Sequence, residues 1–320
     1  MNRDRLILGI DLGGTKSAAT LQTSGGELRY RVATSTPAQD GSDAVVATLI
    51  SLARNALQAA NDLGTVSGCG ISVGAPADAA NGVVYPAPNL PGWSPIGTPL
   101  ARIVADALNL PTCLENDADA TALAEWRFGA GRGAETMAFL TQGTGIGSGL
   151  VLNGRLHRGA FGAGGEIGHI CVDTSDEARV CSCGLCGCLE AYASGPSVVR
   201  IAAENGYRGE QSGAAVAEAA RGGDAAALAA FALAADKLGR GLAVLVMLLN
   251  PERIVLGTLA IHAGDLLLTG TESSLRRHAW KRLTEDLTVV PAQLGDRAQD
   301  LAALCAYLSR ADESNGTMSQ

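Results

Sequence analysis

Short apolar runs, glycine-rich turns and longer segments of helical period alternate along this chain, and that alternation predicts an α/β protein. Leu6–Ile10 is an apolar strand that runs into Asp11-Leu12-Gly13-Gly14-Thr15-Lys16, and Ser17–Gln22 resumes extended sequence at once. The turn therefore belongs to a β-hairpin. Leu28–Ala33 reads as a third strand, and Asp43–Asp62 as a helix with Val46, Leu49, Ile50, Leu52 and Leu57 on one side. Val66–Val73 is the next strand. It opens into an irregular segment, Gly74 to Trp93, whose Pro86–Trp93 portion holds too much Pro for a regular element. Thr98–Leu108 is a helix with Pro99 in its first turn, Thr112–Glu115 a short strand, and Ala118–Phe128 a helix just after Asn116-Asp117.

Thr136–Thr141 then repeats the opening. This strand enters a second glycine-and-threonine turn, Gln142–Gly149, before extended sequence at Leu150–Leu152. The chain reads as two halves that begin alike. Helices follow at Ser197–Asn205, Gly213–Arg221 and Asp224–Leu249, the last rich in Ala and Leu and stopped by Pro251. Arg253–Leu256 is a strand ending at Gly257, His262–Arg282 a helix, Leu287–Val290 a strand and Arg297–Ser309 the last helix. Residues 311–320 are polar, without apolar period, and are expected to be disordered.

Composition narrows the function. The 320 residues are 47% apolar, enough for two domains with full cores. A net charge of −8 argues against nucleic acid and anionic membrane surfaces as partners. The longest apolar run, Leu242–Leu249, is too short for a bilayer. Met1–Arg5 is polar and Leu6–Ile10 is too short for a signal-peptide core, so a cytoplasmic protein is expected.

Chemistry concentrates between Gly162 and Glu190, which hold five of the eight cysteines. Thiolates at Cys181, Cys183 and Cys188 with the His169 imidazole would form a closed tetrahedral set for a structural Zn2+. Gly184 and Gly187 allow a short backbone to wrap one ion, and Cys186 is a spare thiol able to replace a neighbour. Disulfides or plain buried thiols are the alternatives; a cytosolic setting favours metal. The turns at Asp11–Lys16 and Gly143–Gly149 each offer backbone N–H groups to a phosphate, although either alone is an ordinary hairpin turn. Facing each other, they would clamp a nucleoside triphosphate. Asp117 is either a helix cap or a general base at a strand's carboxyl end, and Asn89 either a turn cap or a polyol ligand.

In order along the chain, Asp11–Lys16, E-N-D-A-D-A (Glu115–Ala120), Gly143–Gly149, Gly164–His169 and C-x-C-G-x-x-G-C-x-E (Cys181–Glu190) resemble the ROK family of sugar kinases. The resemblance spans nearly the whole chain. It implies a duplicated actin/hexokinase-like (ribonuclease H-like) fold, with residues 1–117 plus 297–310 in one domain and 118–296 in the other. It implies Mg-ATP-dependent phosphorylation of a hexose or N-acetylhexosamine, at C6 in most members, and a homodimer. Asp117 resembles the catalytic base; Asn89, Asn116, Glu166, His169 and Glu190 resemble sugar ligands. Asp11, Gly13, Gly14, Thr15, Lys16, Gly143, Thr144, Gly145 and Gly257 fall on the ATP and Mg2+ side, and His169 with Cys181, Cys183 and Cys188 match the family's Zn2+ ligands. The P-A-P-N-L-P-G-W stretch resembles the glucokinase branch, with N-acetylmannosamine kinase and fructokinase as alternatives. Thr258 and Ala302 replace usual glycines on the nucleotide side, and Ala77 replaces one in the cleft loop. Other readings are a sugar-binding protein without catalysis and a sugar-responsive repressor; the latter would carry an N-terminal helix-turn-helix, for which no room precedes Leu6.

Overall fold

The protein is described from a computed structural model covering residues 4–316. In chain order the strands are β1 (Asp4–Leu12), β2 (Lys16–Thr23), β3 (Leu28–Ser35), β4 (Gly64–Val73), the two-residue β5 (Ala77–Asp78) and β6 (Val83–Val84), and β7 (Thr112–Asn116). They continue as β8 (Met137–Gln142), β9 (Ile146–Leu152), β10 (Arg155–Leu156), β11 (Arg253–Leu256) and β12 (Thr288–Pro291). The helices are α1 (Ser42–Leu63), α2 (Leu100–Leu108), α3 (Asp117–Phe128), α4 (Glu190–Ala193), α5 (Gly195–Glu204) and α6 (Gly213–Arg221). After them come α7 (Ala225–Leu249), α8 (Leu259–Ala263), α9 (Asp265–His278) and α10 (Ala298–Gly316).

The chain divides into two units. The first takes everything up to Phe128, Arg158–Ala163 and the chain from Leu294; the second takes Gly129–His157 and Gly164–Gln293. Their sheets have one plan. The first is ordered β3-β2-β1-β4-β7 and the second β10-β9-β8-β11-β12. In each, an antiparallel hairpin lies on one side of the leading strand and two parallel strands on the other. The repeated turn in the sequence is thus the visible part of a repeated sheet.

In the first unit, Leu6, Leu8, Ile10, Ile71 and Val73 pack with Val45, Leu49 and Leu52 of α1 and Leu100 and Val104 of α2. α10 covers the other face so closely that a Cβ at Gly9 would lie 3.1 Å from the Ala303 Cβ. In the second unit, α7 is buried along Ala230, Ala234, Leu238, Leu242 and Val246, in one core with Ala138, Leu140, Ile254 and Leu256 of the sheet.

Four expectations shift. The boundary lies beyond residue 117, because α3 packs against α10 inside the first unit, and Arg158–Ala163 returns to that unit. Residues 311–316 continue α10 rather than forming a disordered tail, and 317–320 lie outside the described residues. The helix expected over 262–282 is two helices, interrupted at Gly264 with φ 57°. The buried stripe of α1 runs through Val45, Leu49, Leu52, Ala53, Ala56 and Ala60, with Val46 and Leu57 at its margin. Its small residues let the helix sit close to the sheet, which an apolar count over large side chains misses.

Candidate active site

Neighbouring strand ends of the first unit, with the loop that carries Asn89, hold eight of the eighteen candidate residues. Parallel pairing sets Asp11 beside Ser72, and one strand over Val73 beside Asn116. The β1–β2 turn closes with the Gly13 N–H donating to the Lys16 carbonyl at 3.1 Å, leaving Thr15 and Lys16 exposed. The Thr36 hydroxyl braces it, donating to the Gly13 carbonyl at 2.7 Å. A Cβ at Gly14 would lie 2.7 Å from the Asn89 carbonyl oxygen, so this approach requires glycine. Asn89 is exposed and its Nδ2 donates to the Gly74 carbonyl at 2.9 Å; buried Leu90 and Trp93 pin its loop to the core.

At the strand-to-helix turn the cap falls to Asn116. Asn116 accepts the Ala118 N–H on Oδ1 at 2.9 Å and donates from Nδ2 to the Ala75 carbonyl at 3.1 Å. Capping is therefore met by Asn116. Asp117, first residue of α3, reaches solvent, but protein crowds its carboxyl enough that desolvation raises its pKa, against the pull of the Ala118 N–H and its own. Asp11 is pushed to about 7 by burial first, then by the charges of Asp117 and Asp300; Arg31 opposes. Arg31 donates from Nε to both Asp300 oxygens, at 3.1 and 3.0 Å. Asp11 is thus a buried carboxyl with acidic neighbours and too little positive charge near it, a donor that suits a hard divalent cation such as Mg2+.

In the second unit, His169, Cys181, Cys183 and Cys188 place one ligand atom each within 4.8 Å of one another. His169 Nδ1 is 3.7 Å from Cys181 Sγ, and Cys183 Sγ is 3.7 Å from Cys188 Sγ. Tetrahedral ligands about 2.3 Å from zinc stand about 3.8 Å apart, so the donor set and its edges fit Zn2+. The three cysteines are free thiols, and Cys186 lies exposed outside the set. Gly184 and Gly187 take φ of 90° and 78°, which the wrapped backbone needs.

Glu190 joins this knot to the second glycine turn. Its Oε1 accepts from the Ser182 hydroxyl at 3.0 Å and its Oε2 from the Ile146 N–H at 2.9 Å. A Cβ at Gly145 would lie 2.5 Å from Oε2. The Gly143 carbonyl in turn accepts the Gly195 N–H at 3.1 Å, at the start of α5. Glu166 is exposed, and its carbonyl accepts the His169 N–H at 3.1 Å. Gly257 follows β11, with its N–H on the Leu140 carbonyl at 2.8 Å. Next to it Thr258 has φ 45°, a rare conformation for a β-branched residue, and its hydroxyl lies 3.2 Å from that of Thr141. Ala302, by contrast, is buried in α10 of the first unit.

The sequence profile of the ROK family matches residues 7–307. This chain belongs to the ROK family. A glucokinase of Halalkalibacterium halodurans is 35% identical over 310 residues, 92% of either chain. A putative xylose repressor of Caldicellulosiruptor sp. is 32% identical over 321 residues, 95% of this chain and 78% of its own. A ROK family glucokinase from Streptomyces griseus, solved with glucose and AMPPNP, superposes with TM-score 0.76 at 32% identity, covering 96% of this chain and 99% of that one. The repeated sheet is accordingly the duplicated actin/hexokinase-like, ribonuclease H-like fold of ROK kinases. Among the described residues no helix is long and apolar enough to cross a membrane.

Motif reading passed over Glu115 as a functional neighbour and Arg158 entirely. Arg158 follows Arg155 and His157 just before a glycine-rich run, and no motif there marks it.

Proposed function

We propose that this chain is an ATP-dependent hexose kinase, with glucose as the sugar and its C6 hydroxyl as the acceptor. The observation that carries the reading is Asp117: a carboxyl of raised pKa at the N-terminus of α3, relieved of capping by Asn116. In that place Asp117 takes the proton of the attacking hydroxyl, while Asn89, Asn116, Glu166, His169 and Glu190 hold the remaining hydroxyls. The turns at Gly13–Lys16 and Gly143–Gly145, with Gly257, present N–H groups to the phosphates. Asp11 would hold the Mg2+ that accompanies the nucleotide, which supplies charge neutralisation at the transferring phosphoryl. His169, Cys181, Cys183 and Cys188 would hold a structural Zn2+, which fixes one imidazole nitrogen and leaves the other for sugar. A homodimer and a cytoplasmic location belong to the same reading.

N-acetylmannosamine and fructose are the alternative acceptors. A regulatory role is the reading favoured by the repressor relative, against which stands a net charge of −8. A coupled ADP-release assay with Mg-ATP over hexoses and N-acetylhexosamines tests all of them. Turnover led by glucose supports the proposal; turnover led by another sugar replaces the substrate. Sugar binding without turnover on any of them overturns the kinase reading.

A further inference from the structure

β7 ends at Asn116, just before Asp117, and is the edge of its sheet, paired among the described residues only with β4. An edge strand has ladder support on one side, so its end needs another tie to be held at fixed geometry. Glu115, the residue before Asn116, is 1% exposed, and a carboxylate buried that far requires a partner. Arg158 supplies it, donating to Glu115 Oε2 from Nε at 2.9 Å and from Nη2 at 2.7 Å. The same guanidinium donates to Glu313 at 2.7 Å and reaches the Ser309 hydroxyl at 3.4 Å, both on α10. Arg158 thus bridges the end of β7 to the helix behind it. It also opens Arg158–Ala163, the short return into the first unit that leads directly to Glu166 and His169.

We propose that Arg158 is a positioning residue for phosphoryl transfer: it braces the β7 edge through Glu115 and so fixes the orientation of Asp117. The inference rests on the kinase reading above. A planar guanidinium that binds three groups at once cannot be replaced by an ammonium, so charge alone is not enough.

The test compares Arg158→Lys, Arg158→Met and the double variant Arg158→Met/Glu115→Met with the wild-type enzyme. The double variant leaves neither charge buried alone and keeps the fold where the single one loses it. Active-site displacement of about 1 Å costs roughly 100-fold. The expected result is a kcat loss of roughly that size in the double variant, a smaller loss in Arg158→Lys, and sugar dissociation constants by calorimetry within about threefold of wild type. Circular dichroism and melting verify the folded fraction. Wild-type kcat per folded molecule in the double variant overturns the inference, as does a loss confined to KM. An inactive wild type with intact sugar binding overturns the kinase reading instead, which separates the two failures.

Discussion

At the scale of single residues, the site is organised around carboxyls held in unusual surroundings. Asp117 does not cap its helix, because Asn116 does, and it reaches solvent. Asp117→Asn keeps the shape and removes the proposed base. It should bind sugar nearly as wild type does and lose about 10^2–10^4-fold in turnover, measured by calorimetry and by ADP release. Raised pKa values at Asp117 and at Asp11, the latter to about 7, have a pH signature. A base works ionised, so activity falls as pH falls through the raised values. The acid limb of kcat/KM should lie well above the ordinary aspartate range. A profile flat down to pH 5 would contradict this.

Thr258 is the residue whose backbone argues against its side chain. A β-branched residue at φ 45° costs about 1–3 kcal/mol, while its exposed hydroxyl contact with Thr141 and the greater chain entropy of glycine return about 1 kcal/mol. Thr258→Gly should therefore raise the urea midpoint, by about 1 kcal/mol in stability. A lower midpoint would mean the conformation is not strained.

At the scale of elements, the cysteine knot, α4 and the second glycine turn act together because Glu190 bonds to Ser182 on one side and to the Ile146 N–H on the other. Removing a thiol should therefore be felt at the proposed sugar ligands. Cys183→Ser is expected to lose bound zinc, read by elemental analysis, and to weaken sugar binding about 10–100-fold, the worth of one charge-assisted hydrogen bond. Unchanged sugar affinity in the zinc-free variant would contradict the coupling. Periodicity made most strands and helices legible, and glycine with threonine made both turns legible. It did not reveal the break at Gly264, where helical apolar spacing runs on through a residue whose φ of 57° stops it. Nor could it reveal Arg158, because the meaning of that guanidinium comes from Glu115 and Glu313, far away in sequence.

For the whole molecule, two sheets of one strand order account for why the sequence echoes itself at residues 11–16 and 142–149. The echo was readable because hairpin turns need particular residues; the boundary between units was not. A boundary is set by packing, and α3 goes with α10 although the motif before it reads as the end of a domain. The claim that unites both halves is regiospecific phosphoryl transfer from ATP to a sugar. The direct measurement is 13C NMR of the product formed from uniformly 13C-labelled glucose and Mg-ATP. Coupling of phosphorus to C6 is the predicted result. Coupling at C1, or glucose recovered unchanged while it still binds, would contradict the account.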